Sequence, residues 1–171
     1  MLRLILAFVE IAFHRRSPED LPASRGFLAA VLVVYVVLGF VTTRYLEIAD
    51  YPELMVAFDT VVELGFIWAV LRAFERERRF RQTAVAVLGA DTLLNLVSVP
   101  LWFWHRSLHA PKDEATLPYM LVLLVMLWSV DVSAFILSRA LERPYVLTVA
   151  IMLGYVLLSI GVDGTFFPAS K

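Results

Sequence analysis

The sequence predicts an all-α polytopic membrane protein, five transmembrane helices in a compact bundle with an amphipathic helix in front of them. Three observations predict it. Apolar residues make up 60% of the 171, and mean hydropathy is +0.77. Charged residues reach only 18%, against roughly 25% in soluble domains. The apolar residues also gather in stretches of about 20, the length that crosses a ~30 Å hydrocarbon core at ~1.5 Å per residue.

Residues 1–16 open with Arg3 and an apolar run that resembles a signal peptide, but Glu10 interrupts the run and His14-Arg15-Arg16 closes it. Helical spacing puts Arg3, Ala7, Glu10 and His14 on one face and Leu2, Ile5, Leu6, Val9 and Phe13 on the other. That pattern predicts an interfacial helix lying in the membrane plane. Ser17-Pro18-Glu19-Asp20 and Pro22 break it, and Ser24 is placed to cap the first span.

Residues 17–171 then form a single membrane domain, with spans read at 27–46, 54–74, 82–104, 118–140 and 145–163. The loops between them are too short to hold a soluble domain. Basic residues are retained on the cytoplasmic side of a membrane. Eleven of the fifteen fall on one side: Arg3, Arg15, Arg16, Arg25, Arg72, Arg76, Arg78, Arg79, Arg81, Arg139 and Arg143. The other side has Arg44, Arg106, Lys112 and Lys171. The N-terminus is therefore expected in the cytoplasm and the C-terminus outside, in a membrane of the bacterial inner type. Trp102, Trp104 and Tyr119 at one interface and Tyr145 at the other agree with that orientation.

Net charge is −1 and there is no cysteine. A near-neutral chain generates no global field to recruit nucleic acid, and the absence of thiols removes disulfides, thiolate metal sites and thiol nucleophiles. No phosphate-binding glycine loop, Ser/His/Asp arrangement or HExxH helix is present either. The expectation is a non-enzymatic protein without a cofactor.

The chemistry-bearing residues lie inside the spans. Glu63, Asp91 and Asp131 fall near the centres of three of them, with no Lys or Arg beside them. Intramembrane carboxyls are costly and face protein or water, which makes them functional candidates. Asp59 precedes Glu63 by four residues and Asn95 follows Asp91 by four, so each pair shares a helix face. In antiparallel neighbours this predicts two rungs, Glu63–Asp91 and Asp59–Asn95, with Asp131 joining from the fourth span between Ser129 and Ser133. Adjacent carboxyls there are expected to share protons, since burial and mutual repulsion both oppose two charges. Such a seam serves either as hydrogen-bonded packing between helices or as a path for protons, cations or a polar substrate.

Two other groupings stand out. His105 and His109 are four apart and precede Asp113 and Glu114, a set able to hold a divalent metal if that strip is helical. Interfacial histidines beside Trp102 and Trp104 ordinarily face headgroups and water, so no metal is assigned. The basic run Arg72, Arg76, Arg78, Arg79 and Arg81 is explained by topology, with anionic lipid or a cytoplasmic partner as an added role. It offers no extended basic face with interleaved aromatics for nucleic acid.

An internal repeat orders the last four spans. Arg72-Ala73-Phe74-Glu75-Arg76 ends the second and Arg139-Ala140-Leu141-Glu142-Arg143 ends the fourth. Thr83 then precedes Leu88-Gly89 with the spacing by which Thr148 precedes Leu153-Gly154. Two parallel hairpins in tandem follow.

Several of these features resemble the Yip-type (Rab/Ypt-interacting) membrane domain, in its short prokaryotic form. They are the five-span layout, the entry Ser17-Pro18-Glu19-Asp20-Leu21-Pro22, the Val99-Pro100 ending of the third span, Trp128 in the fourth, and the turn from Arg139 to Thr148. The resemblance covers most of the chain. It implies a helical bundle that self-associates or binds membrane partners and has no established catalytic residues. The long cytoplasmic N-terminal region of eukaryotic members is missing, so a trafficking role does not carry over. Together these features predict a scaffold or accessory subunit packing with itself or with membrane partners. The alternatives are a small proton- or cation-coupled transporter using the carboxylates and, third, a metal-binding subunit.

Overall fold

A computed structural model describes residues 2–46, 50–108 and 116–166. Within them lie six α-helices and no strand: α1 (Leu2–Ala12), α2 (Arg25–Tyr45), α3 (Pro52–Ala73), α4 (Phe80–Ser107), α5 (Leu117–Leu141) and α6 (Tyr145–Phe166). Short 3-10 turns at Pro18–Asp20 and Glu77–Arg79 precede α2 and α4. Helices α2 to α6 are each long and apolar enough to cross a membrane.

Local chemistry sets the ends. The Ser24 Oγ accepts from the Phe27 amide at 3.1 Å and caps α2. Pro52 and Pro118 occupy the first turns of α3 and α5, where a missing N–H costs nothing. Pro100 lies inside α4, which runs on to Ser107, a little past the 104 read as the end of that span. A proline removes one helical hydrogen bond, and membrane helices accommodate the loss by local adjustment while the flanking turns continue.

Three helix ends share one unusual device. His14, Glu75 and Glu142 each sit at positive φ, at 57°, 59° and 55°. The next residue's amide then reaches back five positions, from Arg15 to Glu10 O, from Arg76 to Leu71 O and from Arg143 to Ser138 O. These are Schellman-type terminations, normally made with glycine. Glu75 and Glu142 occupy matching places in the repeated Arg-Ala-x-Glu-Arg segments. The threonines that follow behave alike too: Thr83 and Thr148 are buried, and their hydroxyls donate to Arg79 O and Tyr145 O.

The core centres on α4. Thr83 through Ala90 are buried without interruption, a pattern that only a helix surrounded on all sides can show. Its neighbours are α1, α2, α3 and α5. Ala84, Ala86, Gly89 and Ala90 keep this stretch narrow enough for close helix approach. Helix α5 repeats the pattern from Val132 to Leu137. By contrast α2 and α6 are peripheral, with only 11% of their apolar windows buried.

Helix α1 departs from the expected pattern. Ala7, assigned to the polar face, is buried together with Ile11 and Ala12, while Ile5, Leu6 and Phe13 stay exposed. The small Ala7 lets the helix dock on α4, and the Phe8 ring occupies the space that a Cβ at Gly89 would need. At its end the Trp128 Nε1 donates to Ala12 O at 3.0 Å, and Phe13 meets the Trp128 ring edge-on at 5.1 Å. The first helix is thus packed into the bundle through one face and leaves an apolar face outward.

Candidate functional site

The predicted seam divides into two centres. The first joins α3 and α4, where Glu63 is only 5% exposed and its carboxyl neighbours that of Asp91. Each member also has a hydroxyl donor from a flanking helix. Tyr35 Oη on α2 donates to Glu63 Oε2 at 2.7 Å, and Ser129 Oγ on α5 donates to Asp91 Oδ1 at 2.5 Å. Four helices therefore converge on one polar cluster, Tyr35–Glu63 beside Asp91–Ser129. Burial of the pair is tolerable because these polar atoms find partners inside the protein.

Asp59 and Asn95, the second expected rung, line one cavity of about 270 Å³ with Tyr35, Thr42 and Trp102. The cavity lies on the side of the carboxyl pair away from the arginine-rich turns. Within it the Thr42 Oγ donates to Asn95 Oδ1 at 3.2 Å, so the partner found for Asn95 comes from α2.

Asp131 does not join Glu63 and Asp91. Residues 129 and 131 are about 200° apart around a helix, so the face that brings Ser129 to Asp91 turns Asp131 elsewhere. There Asp131 Oδ2 lies 3.2 Å from His14 Nε2, and the Tyr145 hydroxyl donates to Oδ1. The His14 ring stacks on Phe135 with centroids 4.2 Å apart. This second centre opens into a recess of about 660 Å³ at the arginine-rich end, bounded by the ends of α1, α5 and the start of α6.

The basic run is largely committed to the turns. Arg72 pairs with Glu77 at 2.7 Å, and Arg76 Nη2 with Glu142 Oε2 at 2.5 Å. Arg79 bridges Glu19, Glu142 and the Arg139 carbonyl, which ties the first 3-10 turn to both repeated turns. Gln82 completes the tie by donating to the carbonyls of Glu19 and Leu21. Arg78 and Arg81 lie exposed on the same end.

His105 Nδ1 is 2.7 Å from Thr116 Oγ, and its ring lies 5.6 Å from that of Tyr119. His109, with Asp113 and Glu114, lies outside the described residues, and within those residues no group of three or more His, Asp or Glu side chains forms a metal-sized cluster.

Sequence reasoning missed three participants. Tyr35 carried a readable signal, since a phenol in mid-span needs a polar partner. His14 and Tyr145 gave none, because their meeting with Asp131 depends on how α1 docks and how the α5–α6 turn folds back.

The arrangement defines a class, a multi-pass α-helical integral membrane protein whose interior carries a satisfied carboxyl pair. No protein-family model, curated protein or solved structure matches the chain.

Proposed function

We propose that this protein is a non-enzymatic membrane scaffold or accessory subunit, which packs through its peripheral helices with a second copy or with another membrane protein. The observation that carries this reading is the closed polar core: Tyr35, Glu63, Asp91 and Ser129 satisfy one another across four helices. A core so occupied acts as interhelical glue and leaves α2 and α6 to meet neighbours laterally. The arginine distribution supports a cytoplasmic N-terminus in this reading. Kinship with the Yip-type domain belongs to the same proposal and is supported by the five-span layout. Reconstitution of donor- and acceptor-labelled chains in lipid tests self-packing, and copurification from native membranes tests a heterologous partner. A protein that is monomeric in the first and alone in the second contradicts the proposal.

A second reading, proton or cation exchange, is favoured by one observation. Tyr35 both binds Glu63 and lines the 270 Å³ cavity with Asp59 and Asn95, so the pair has a polar neighbour toward one end of the bundle. Proteoliposomes under a pH gradient decide it. Flux abolished by Glu63→Gln and Asp91→Asn supports exchange, and a gradient that decays as in protein-free vesicles counts against it.

A further inference from the structure

We propose that the recess at the arginine-rich end is a binding site for a phosphate-bearing anion, read by Arg139 and Arg143. Its volume of about 660 Å³ is within the usual range of small-molecule pockets, roughly 300–1,000 Å³. What distinguishes it is the state of its charges. The acidic groups on its wall are already occupied. Both Asp131 oxygens are engaged, one by His14 and the other by Tyr145. Both Glu142 oxygens are engaged as well, by Arg76 and Arg79, and Glu19 is held by Arg79.

Arg139 and Arg143 also line the recess, and among the described residues neither guanidinium meets a carboxylate or a hydrogen-bond acceptor. Each is instead held against a ring. The Arg139 Cζ lies 5.3 Å from the Phe135 centroid and the Arg143 Cζ 5.6 Å from that of Phe74. A ring orients a guanidinium without consuming its N–H donors. Two oriented, unspent donor forks on one wall suit a tetrahedral oxyanion, since planar guanidinium groups bind phosphate through paired charge-assisted hydrogen bonds. Ser138 does not compete for the anion as a donor, because its hydroxyl is given to Phe135 O. The same group reaches the recess from two sources, the headgroup of an anionic phospholipid or a soluble phosphate.

The test uses the full chain purified in neutral detergent, then placed in phosphatidylcholine nanodiscs with and without phosphatidylglycerol. Native mass spectrometry reads retained phosphatidylglycerol, and thermal shift against inorganic phosphate reads the soluble source. Saturable binding of at least one is expected. The Arg139→Gln/Arg143→Gln variant is expected to lose about tenfold or more in affinity, the scale of one lost charge-assisted contact. The Arg78→Gln/Arg81→Gln variant removes equal charge from the exposed surface of the same end and should keep affinity within about twofold. Phosphatidylglycerol retention without a phosphate shift assigns the lipid source, and the converse assigns the soluble one. Equal loss in both variants reduces the effect to bulk surface charge and overturns the site. So does failure of the unaltered protein to bind either probe, whatever the variants do.

Discussion

The Tyr35 hydroxyl donates to Glu63 Oε2 at 2.7 Å, joining α2 to the carboxyl pair that α3 and α4 share. Without it, Glu63 Oε2 would lose its hydroxyl donor from α2. Tyr35→Phe removes the donor and little volume. We expect a loss of about 0.6 kcal/mol and at most about 1.7, the mean and the maximum measured for interhelical hydrogen bonds in a membrane protein. Reversible unfolding in mixed micelles measures it, and an unchanged midpoint would show that the bond contributes nothing.

Gly89 and Gly154 occupy matching places in the two repeats but face different surroundings. A Cβ at Gly89 would fall 2.1 Å from the Phe8 ring, whereas nothing lies within 4 Å of one at Gly154. Gly89→Ala should therefore displace α1 and cost about 1–3 kcal/mol, while Gly154→Ala should be neutral or slightly stabilising through helix propensity. Thermal unfolding of the two variants side by side checks the difference. Equal effects would mean that α1 does not dock on α4 through Phe8.

The positive-φ glutamates offer a second matched pair. Glu75 is exposed and makes no side-chain bond among the described residues, so Glu75→Gly relieves backbone strain and should stabilise by about 0.5–1 kcal/mol. Glu142→Gly gives the same relief but strips Arg76 and Arg79 of their shared carboxylate. Those pairs are part-exposed and worth at most about 1 kcal/mol each, enough to cancel the gain. Unfolding midpoints should rise for the first variant and stay level or fall for the second.

Asp131 is predicted to hold the end of α1 through His14. Asp131→Leu should leave the ring of His14 on Phe135 without its carboxylate and loosen the segment that leads into α2. Faster amide exchange at residues 12–16, with α3 unchanged, is the expected result in hydrogen-exchange mass spectrometry.

Much of the fold was legible because the bilayer requirement acts on single segments: about 20 apolar residues are visible without knowing any neighbour. Glu63 and Asp91 could be paired from the same facts, since an antiparallel hairpin and a four-residue spacing fix depth and face. Asp131 could not. Its depth was readable, but a central membrane helix is apolar on every side and gives no hydrophobic direction to say which way residue 131 turns. Ser129, two residues away, took the place assigned to it. The docking of α1 was obscured for a related reason: Ala7 reads as neutral in any amphipathic pattern, yet its small size is what admits the helix to the Gly89 surface.

The contact between Glu63 and Asp91 is the centre of this account, and a double-mutant cycle in mixed micelles tests it most directly. Glu63→Leu, Asp91→Ala and the combination should each unfold more easily than the parent. Their effects should be non-additive by about 0.6 kcal/mol or more, because each single change removes one neighbour of the other carboxyl. Additivity within about 0.3 kcal/mol would contradict the pair, and with it the closed polar core.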